Sequence, residues 1–205
     1  MFFDEAYAFT SKWEGGFSDN KYDAGGVTKY GISLVFLRDF VKEFPYTAKN
    51  LNIPEYPMAE NIRGLDRKTA KAIMRKAFWD KMRCVQYPSV FAFAVFDCGV
   101  NSGCARSIRI AQQSFNKNNP DKTQLVVDGI LGSKSLNAFH GASKEMALTC
   151  IDLREDFLNG IVKSKPTQKV FLKGWLNRTA DLRKYITSYQ MGLGLIDQDE
   201  ICHPN

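Results

Sequence analysis

The sequence predicts an α-dominated fold with one small β-hairpin. Apolar residues recur at helical spacing along about seven segments, whereas the alternation that suits a strand occurs once, between Val27 and Ile32. Clusters of glycine, proline, asparagine and aspartate separate these segments and supply the turns.

Phe2, Ala6, Phe9 and Trp13 lie on one helical face, and Gly15-Gly16 is expected to end that first helix. Asp19-Asn20, Asp23 and Gly25-Gly26 are turn formers that lead into the hairpin. Leu34, Leu37, Phe40 and Val41 return to helical spacing. Residues 45–64 hold Pro45, Pro54, Pro57 and Gly64, so a loop with at most short helical turns is expected there. Asp66 reads as the N-cap of a helix carrying Ala70, Ile73, Ala77 and Phe78, which Tyr87-Pro88-Ser89 breaks. Val90 to Val100 is apolar nearly all round, the mark of a central buried helix. Further helices are expected over Arg106–Phe115, near Lys134–Phe139, over 143–162 and around Gln168–Tyr189. Asn116 to Thr123 forms a polar loop, and Asp128-Gly129 with Gly132 a turn.

The chain has 205 residues, enough to form a core without disulfides or metal. Its 28 basic and 22 acidic side chains leave a net charge of +6, which favours anionic partners such as nucleic acid, phospholipid head groups or a bacterial wall. The Val90–Val100 stretch contains Asp97 and is too short to span a bilayer, so no transmembrane segment is expected. Met1-Phe2-Phe3-Asp4-Glu5 places acids where a secretory signal carries cations, so folding in a cytoplasm is expected. The five cysteines form no CxxC pair and read as reduced, mostly buried thiols. His140 and His203 are not spaced as ligands, so no metal and no organic cofactor is expected.

The carboxylates carry the sharper chemistry. Glu14 follows Trp13 and precedes two glycines and Phe17, at the expected end of a helix. Desolvation by aromatic neighbours raises a carboxyl pKa, as does the negative end of a helix dipole. A glutamic acid that keeps its proton near neutral pH is what glycosidic cleavage requires as general acid. Asp23 and Thr28 follow on the turn and hairpin, where they suit stabilisation of an oxocarbenium-like transition state or the holding of an attacking water. The plainer readings are a solvated Glu14 at a helix end and an Asp23 that braces its own turn.

Trp13-Glu14-Gly15-Gly16-Phe17, followed by Asp23-Ala24-Gly25-Gly26-Val27-Thr28-Lys29-Tyr30-Gly31-Ile32-Ser33, resembles the signature of glycoside hydrolase family 108, the N-acetylmuramidases (lysozymes) of phages and bacteria. Phe96-Asp97-Cys98-Gly99-Val100-Asn101-Ser102-Gly103 is similar to the family's FD-x-x-V-N-x-G helix. Ala105 and Gln112-Gln113 fall on its next helix, and Val127-Asp128-Gly129-Ile130-Leu131-Gly132 on its DG-x-x-G turn. Phe171-Leu172-Lys173-Gly174-Trp175-Leu176-Asn177-Arg178 resembles its F-x-x-GWLNR segment. Phe17 stands where the family usually has tyrosine, which removes one hydroxyl.

The resemblance implies a lysozyme-like helical fold and hydrolysis of the β-1,4 bond between N-acetylmuramic acid and N-acetylglucosamine. Glu14 is then the general acid, with Asp23 and Thr28 holding the water. It divides the chain into a catalytic segment at 1–92, a helical peptidoglycan-binding-like segment at 93–190 packed into the same fold, and a tail at 191–205. An endolysin is the implied setting: a monomer that acts on bacterial peptidoglycan, kept in the host cytoplasm until a separate protein permeabilises the membrane. A lytic transglycosylase acting on the same bond and a non-catalytic wall-binding protein are the alternatives. A nucleic-acid binder explains the charge but not the Trp-Glu-Gly-Gly segment.

Other residues read two ways. Tyr30 and Trp79 suit either a sugar cleft or core packing, as does Trp175. Asn101 suits a bond to an N-acetyl group or to loop backbone. Asp97, inside an apolar helix, must be paired or hydrogen-bonded. Cys98 and His140 are nowhere placed together as nucleophile and base. Lys163, Lys165, Lys169, Lys173, Arg178, Arg183 and Lys184 read as a basic face, either simply solvated or drawn to an anionic envelope.

Overall fold

A computed structural model describes residues 2–14 and 27–189. Among them are ten α-helices and one two-stranded antiparallel sheet, the mainly helical architecture that the spacing predicts. The helices are α1 (Phe2–Thr10), α2 (Leu34–Glu43), α3 (Pro45–Asn50), α4 (Ala59–Arg63), α5 (Arg67–Met74), α6 (Ser89–Ser102), α7 (Cys104–Asn118), α8 (Ser133–His140), α9 (Lys144–Ser164) and α10 (Lys169–Ser188). No helix among the described residues is long and apolar enough to cross a membrane.

The hairpin joins β1 (Thr28–Lys29) to β2 (Ile32–Ser33), with Thr28 opposite Ser33 and Lys29 opposite Ile32. Its turn is Tyr30-Gly31, with φ of 53° and 76°. Two left-handed residues in succession form the kind of turn whose twist matches the flanking strands. Ser33 then caps α2 by accepting a hydrogen bond from the Phe36 N–H at 3.2 Å, so the hairpin runs directly into a helix.

Helix α6 is buried from Val90 to Gly99, as its unbroken apolar character requires. It packs against α1, α7 and α9, and α9 in turn packs against α7 and α10. The main core around it collects residues from Phe3 in α1 to Ile186 in α10. A smaller core, from Val27 to Ala77, lies beneath the hairpin, α2 and α5. Tyr7, Phe78 and Val100 touch both cores and join them.

The structure differs from the sequence expectation at the ends of α1 and α5, and shows where the short helical turns of residues 45–64 fall. Helix α1 stops at Thr10, where its end tightens: Lys12 N–H donates to Phe9 O at 3.2 Å and Trp13 N–H to Thr10 O at 3.0 Å. Residues 45–64 contain the two short helices α3 and α4; Pro45 opens α3 because the first helical turn needs no proline N–H. Asp66 caps α5 as expected, through Thr69 N–H at 2.8 Å, but the helix then widens into a π-helical turn over Arg75–Asp80. That extra residue per turn accompanies the inward packing of Trp79 and the stacking of Phe78 on Phe36 at 5.5 Å.

In the second half, Gln112 latches the turn after α7. Its Nε2 donates to Asp128 Oδ1, Ile130 O and Ser135 Oγ at 3.0–3.1 Å, and its Oε1 accepts from Gly129 N–H at 2.9 Å. Gly129 has φ of 80°, and a Cβ there would lie 2.6 Å from Ala105 O, so only glycine fits.

Candidate active site

The site is built outward from Asp97, a charge placed where hydrophobic patterning alone would put a leucine. Its side chain is 1% exposed. Thr10, turned inward at the end of α1, donates its hydroxyl to Asp97 Oδ1 at 2.7 Å. Arg154 of α9, also 1% exposed, donates Nη1 to Asp97 Oδ2 at 2.7 Å. Arg178 of α10 approaches from the other side, with Nε 3.0 and 3.1 Å from the two carboxylate oxygens and Nη2 2.9 Å from Oδ1. Burial opposes the charge on Asp97, but the two guanidiniums and their hydrogen bonds outweigh it and hold the carboxyl at about 2. Arg178 is likewise opposed by burial, and Asp97 and then Glu14 keep it firmly charged.

One guanidinium nitrogen of Arg178 remains, and it points to Glu14. Nη1 donates to Glu14 Oε1 at 2.8 Å, with the arginine side chain 5% exposed and the glutamate 20% exposed. Glu14 sits in the turn beyond α1, its N–H bonded to Thr10 O at 3.3 Å. Its other oxygen rests against the hairpin turn: a Cβ on Gly31 would stand 2.9 Å from Oε2 and 3.0 Å from Cγ. To the aromatic neighbours expected of Glu14 the structure adds a charged one. Helix α10 brings a guanidinium to one carboxyl oxygen, because Arg178 shares the inward face of Leu182 and Ile186. Glu14 in the turn after α1, Asp97 of α6, Arg154 of α9 and Arg178 of α10 thus form one connected cluster.

Other candidates fall into distinct places. Thr28 is half-buried in β1, on the hairpin whose turn touches Glu14. Asp23 lies outside the described residues, as do Gly15, Gly16 and Phe17. Tyr30 is half-buried in the turn, with the Arg67 guanidinium 5.0 Å and Lys29 Nζ 5.4 Å from its ring centre. Asn101 lies one helical turn beyond Asp97, and its Oδ1 accepts from Arg154 Nη2 at 3.1 Å, so it braces the buried cluster. Trp79 is 3% exposed, edge-on to Phe3 and Phe96 with centroids 5.5 and 5.6 Å apart. It offers no face to a sugar, because the π-helical turn directs it into the core. Trp175 stacks on the exposed Phe171 at 5.9 Å.

The basic face on α10 is smaller than the charge run suggests. Arg178 points inward, and Arg183 is tied to Asp152 at 2.8 Å and Glu155 at 3.2 Å. Cys98 is buried in the main core, while His140 is exposed and its Nε2 lies 3.3 Å from Gln86 Oε1. Among the described residues, no group of three or more His, Cys, Asp and Glu is placed to hold a metal ion.

A groove of about 530 Å³ is lined by Phe9, Lys12, Trp13, Asp181, Lys184, Tyr185 and Ser188, and Glu14, Thr28 and Tyr30 are not among its walls. A second hollow, of about 790 Å³, is lined by Arg38, Tyr56 and Met58 among others and includes none of the candidate residues.

Arg154, Arg178 and Thr10 were missed from the sequence as members of the site. The signal for the arginines was present. Asp97 demanded partners, and both lie at helical spacing from apolar residues: Arg154 with Ile151 and Leu158, Arg178 with Leu182 and Ile186.

Comparison with known proteins agrees with this architecture. Residues 7–103 match the family model described as Glycosyl hydrolase 108, and residues 106–180 the one described as Predicted Peptidoglycan domain. The solved structure of Brucella abortus SagA is similar in fold, with a TM-score of 0.71 at 24% identity over 94% of this chain and 98% of that one. No curated protein matches the sequence.

Proposed function

From a chain that belongs to glycosyl hydrolase family 108 and carries a predicted peptidoglycan domain, we propose a lysozyme: it hydrolyses the β-1,4 bond between N-acetylmuramic acid and N-acetylglucosamine, with Glu14 as general acid. One observation supports this most: Oε2 of Glu14 is set against Gly31, in the turn of the hairpin that carries Thr28.

In the neutral acid, Oε1 is the carbonyl oxygen that accepts the Arg178 N–H, and Oε2 carries the proton. That proton passes to the glycosidic oxygen as its bond to the anomeric carbon of the muramic acid breaks, the bonding pair going to the leaving oxygen. Water adds to the anomeric carbon and gives up a proton to Asp23, with Thr28 orienting it. Asp23 then releases that proton to solvent and Glu14 takes one up, which returns both carboxyls to their starting states. The carboxylate formed at Glu14 develops its charge against a guanidinium already in place, which lowers the cost of proton transfer.

The test is clearing of purified peptidoglycan by the wild type and by Glu14→Gln, with mass spectrometry of the products. Rate loss of at least about a hundredfold in Glu14→Gln, with ordinary reducing muramic acid ends from the wild type, supports the reading. Unimpaired clearing by the variant overturns the acid, and 1,6-anhydro ends overturn hydrolysis in favour of transglycosylation.

The biological role proposed with this activity is lysis of a host cell from within, after a separate protein opens the membrane. Expression with and without a pore-forming protein tests it. Lysis that needs no pore-former contradicts it.

A further inference from the structure

We propose that Arg178 is the positioning residue of the acid, and that the predicted peptidoglycan segment thereby completes the catalytic centre instead of serving only as a wall anchor. The proposal rests on Glu14 being the acid.

Arg178 lies within residues 106–180, whereas Glu14 lies within 7–103, so the pair crosses from one family segment to the other. The arginine is not a mobile surface cation. Three of its contacts go to Asp97, which is itself fixed by Thr10 and by Arg154. Only Nη1 is left for Glu14. The guanidinium is planar, so anchoring Nε and Nη2 on Asp97 fixes the direction in which Nη1 points.

Glu14 needs such a guide. It belongs to no helix, and its backbone is held in the described residues by a single bond to Thr10 at 3.3 Å. Arg178 on Oε1 and Gly31 against Oε2 confine its carboxyl from two sides. Tyr7 of α1 is the titratable neighbour that also senses the Glu14 charge. The geometry makes a rigid strut: α9 and α6 hold Arg178, and Arg178 holds the acid.

A lysine at 178 keeps a cation for Asp97 but has no planar fork, so it cannot serve both carboxylates along fixed directions. The experiment measures kcat and KM on soluble, uncross-linked peptidoglycan strands for the wild type, Arg178→Lys, Asp97→Asn and Glu14→Gln. Folding is checked by circular dichroism, and rates are taken well below each melting temperature. Asp97→Asn leaves the Glu14 pair chemically intact and loosens its anchor, so it reports on positioning even where Arg178→Lys fails to fold.

We expect kcat to fall about tenfold to a hundredfold in Arg178→Lys, and by a smaller factor in Asp97→Asn, with KM within about twofold of wild type. A folded Arg178→Lys with wild-type kcat, or a raised KM with kcat unchanged, overturns the proposal while an inactive Glu14→Gln leaves the acid assignment standing. An active Glu14→Gln instead removes the reading on which the proposal rests. Where only Asp97→Asn folds, wild-type kcat in that variant overturns the proposal.

Discussion

Glu14 and Asp97 share one cation. The guanidinium of Arg178 bonds the exposed edge of the cluster at Glu14, 2.8 Å away, and its buried centre at Asp97, 2.9 Å away. The stability of the core and the placement of Glu14 are therefore coupled through a single side chain.

Removing the central carboxylate should be costly. Asp97→Ala leaves Arg154 and Arg178 buried without their shared counter-charge, and a loss of about 3–5 kcal/mol is expected. Urea denaturation measures it directly. A loss below about 1 kcal/mol would mean that the cluster is not a structural centre.

The same carboxylate sets the acid limit of stability. Its folded value of about 2 lies below its ordinary value of 3.8. A depressed carboxyl stabilises the fold at pH values above its unfolded value, and the contribution is lost as pH falls through the folded one. About 2 kcal/mol should therefore disappear between roughly pH 4 and pH 2. Melting temperature measured across that interval tests this, and Asp97→Asn should flatten the slope.

Gly31→Ala should impair activity more than folding. The new Cβ meets Glu14 Oε2 at 2.9 Å in a residue with φ of 76°. Strain of about 1–2 kcal/mol is expected from the backbone, with a loss of at least about tenfold in clearing rate from displacement of the acid. Thermal melting and turbidity assays separate the two effects.

Gln112→Leu should do the reverse. It removes the latch on Asp128, Gly129, Ile130 and Ser135, and leaves the buried Ser135 hydroxyl and the half-buried Gly129 N–H without this partner, at a cost of about 1–3 kcal/mol. No contact links it to Glu14, so kcat at temperatures below melting should be unchanged. A matching fall in kcat would show that the second segment communicates with the acid by some route other than Arg178.

The thiols should be inert in the folded state. Burial pushes Cys104 up to about 11 and Cys150 up to about 12, and raises Cys84 and Cys98 as well. At pH 8, iodoacetamide should leave these four unlabelled until urea is added, as mass mapping would show.

Much of the architecture is written in local pattern. Helical spacing, one alternating stretch and the caps at Ser33 and Asp66 are properties of neighbouring residues, and they determined the class, the order of elements and the burial of α6. Ordered motifs carried the resemblance to the family, which the family models match over residues 7–103 and 106–180. The partner of Glu14 was not legible in the same way, because it lies 164 positions away along the chain. Periodicity says which face of α10 turns inward, but not which helix end it meets. Only the packing of α10 on α9, and of α9 on α6, decided that Arg178 would bridge Asp97 and Glu14. The same holds for Trp79: its residue type suited a sugar, and a widened helical turn carried it into the core, while half-buried Asn101 was brought to a buried arginine. Secondary structure follows from short-range sterics and spacing, whereas the pairing of charges is settled by which faces meet when the chain closes.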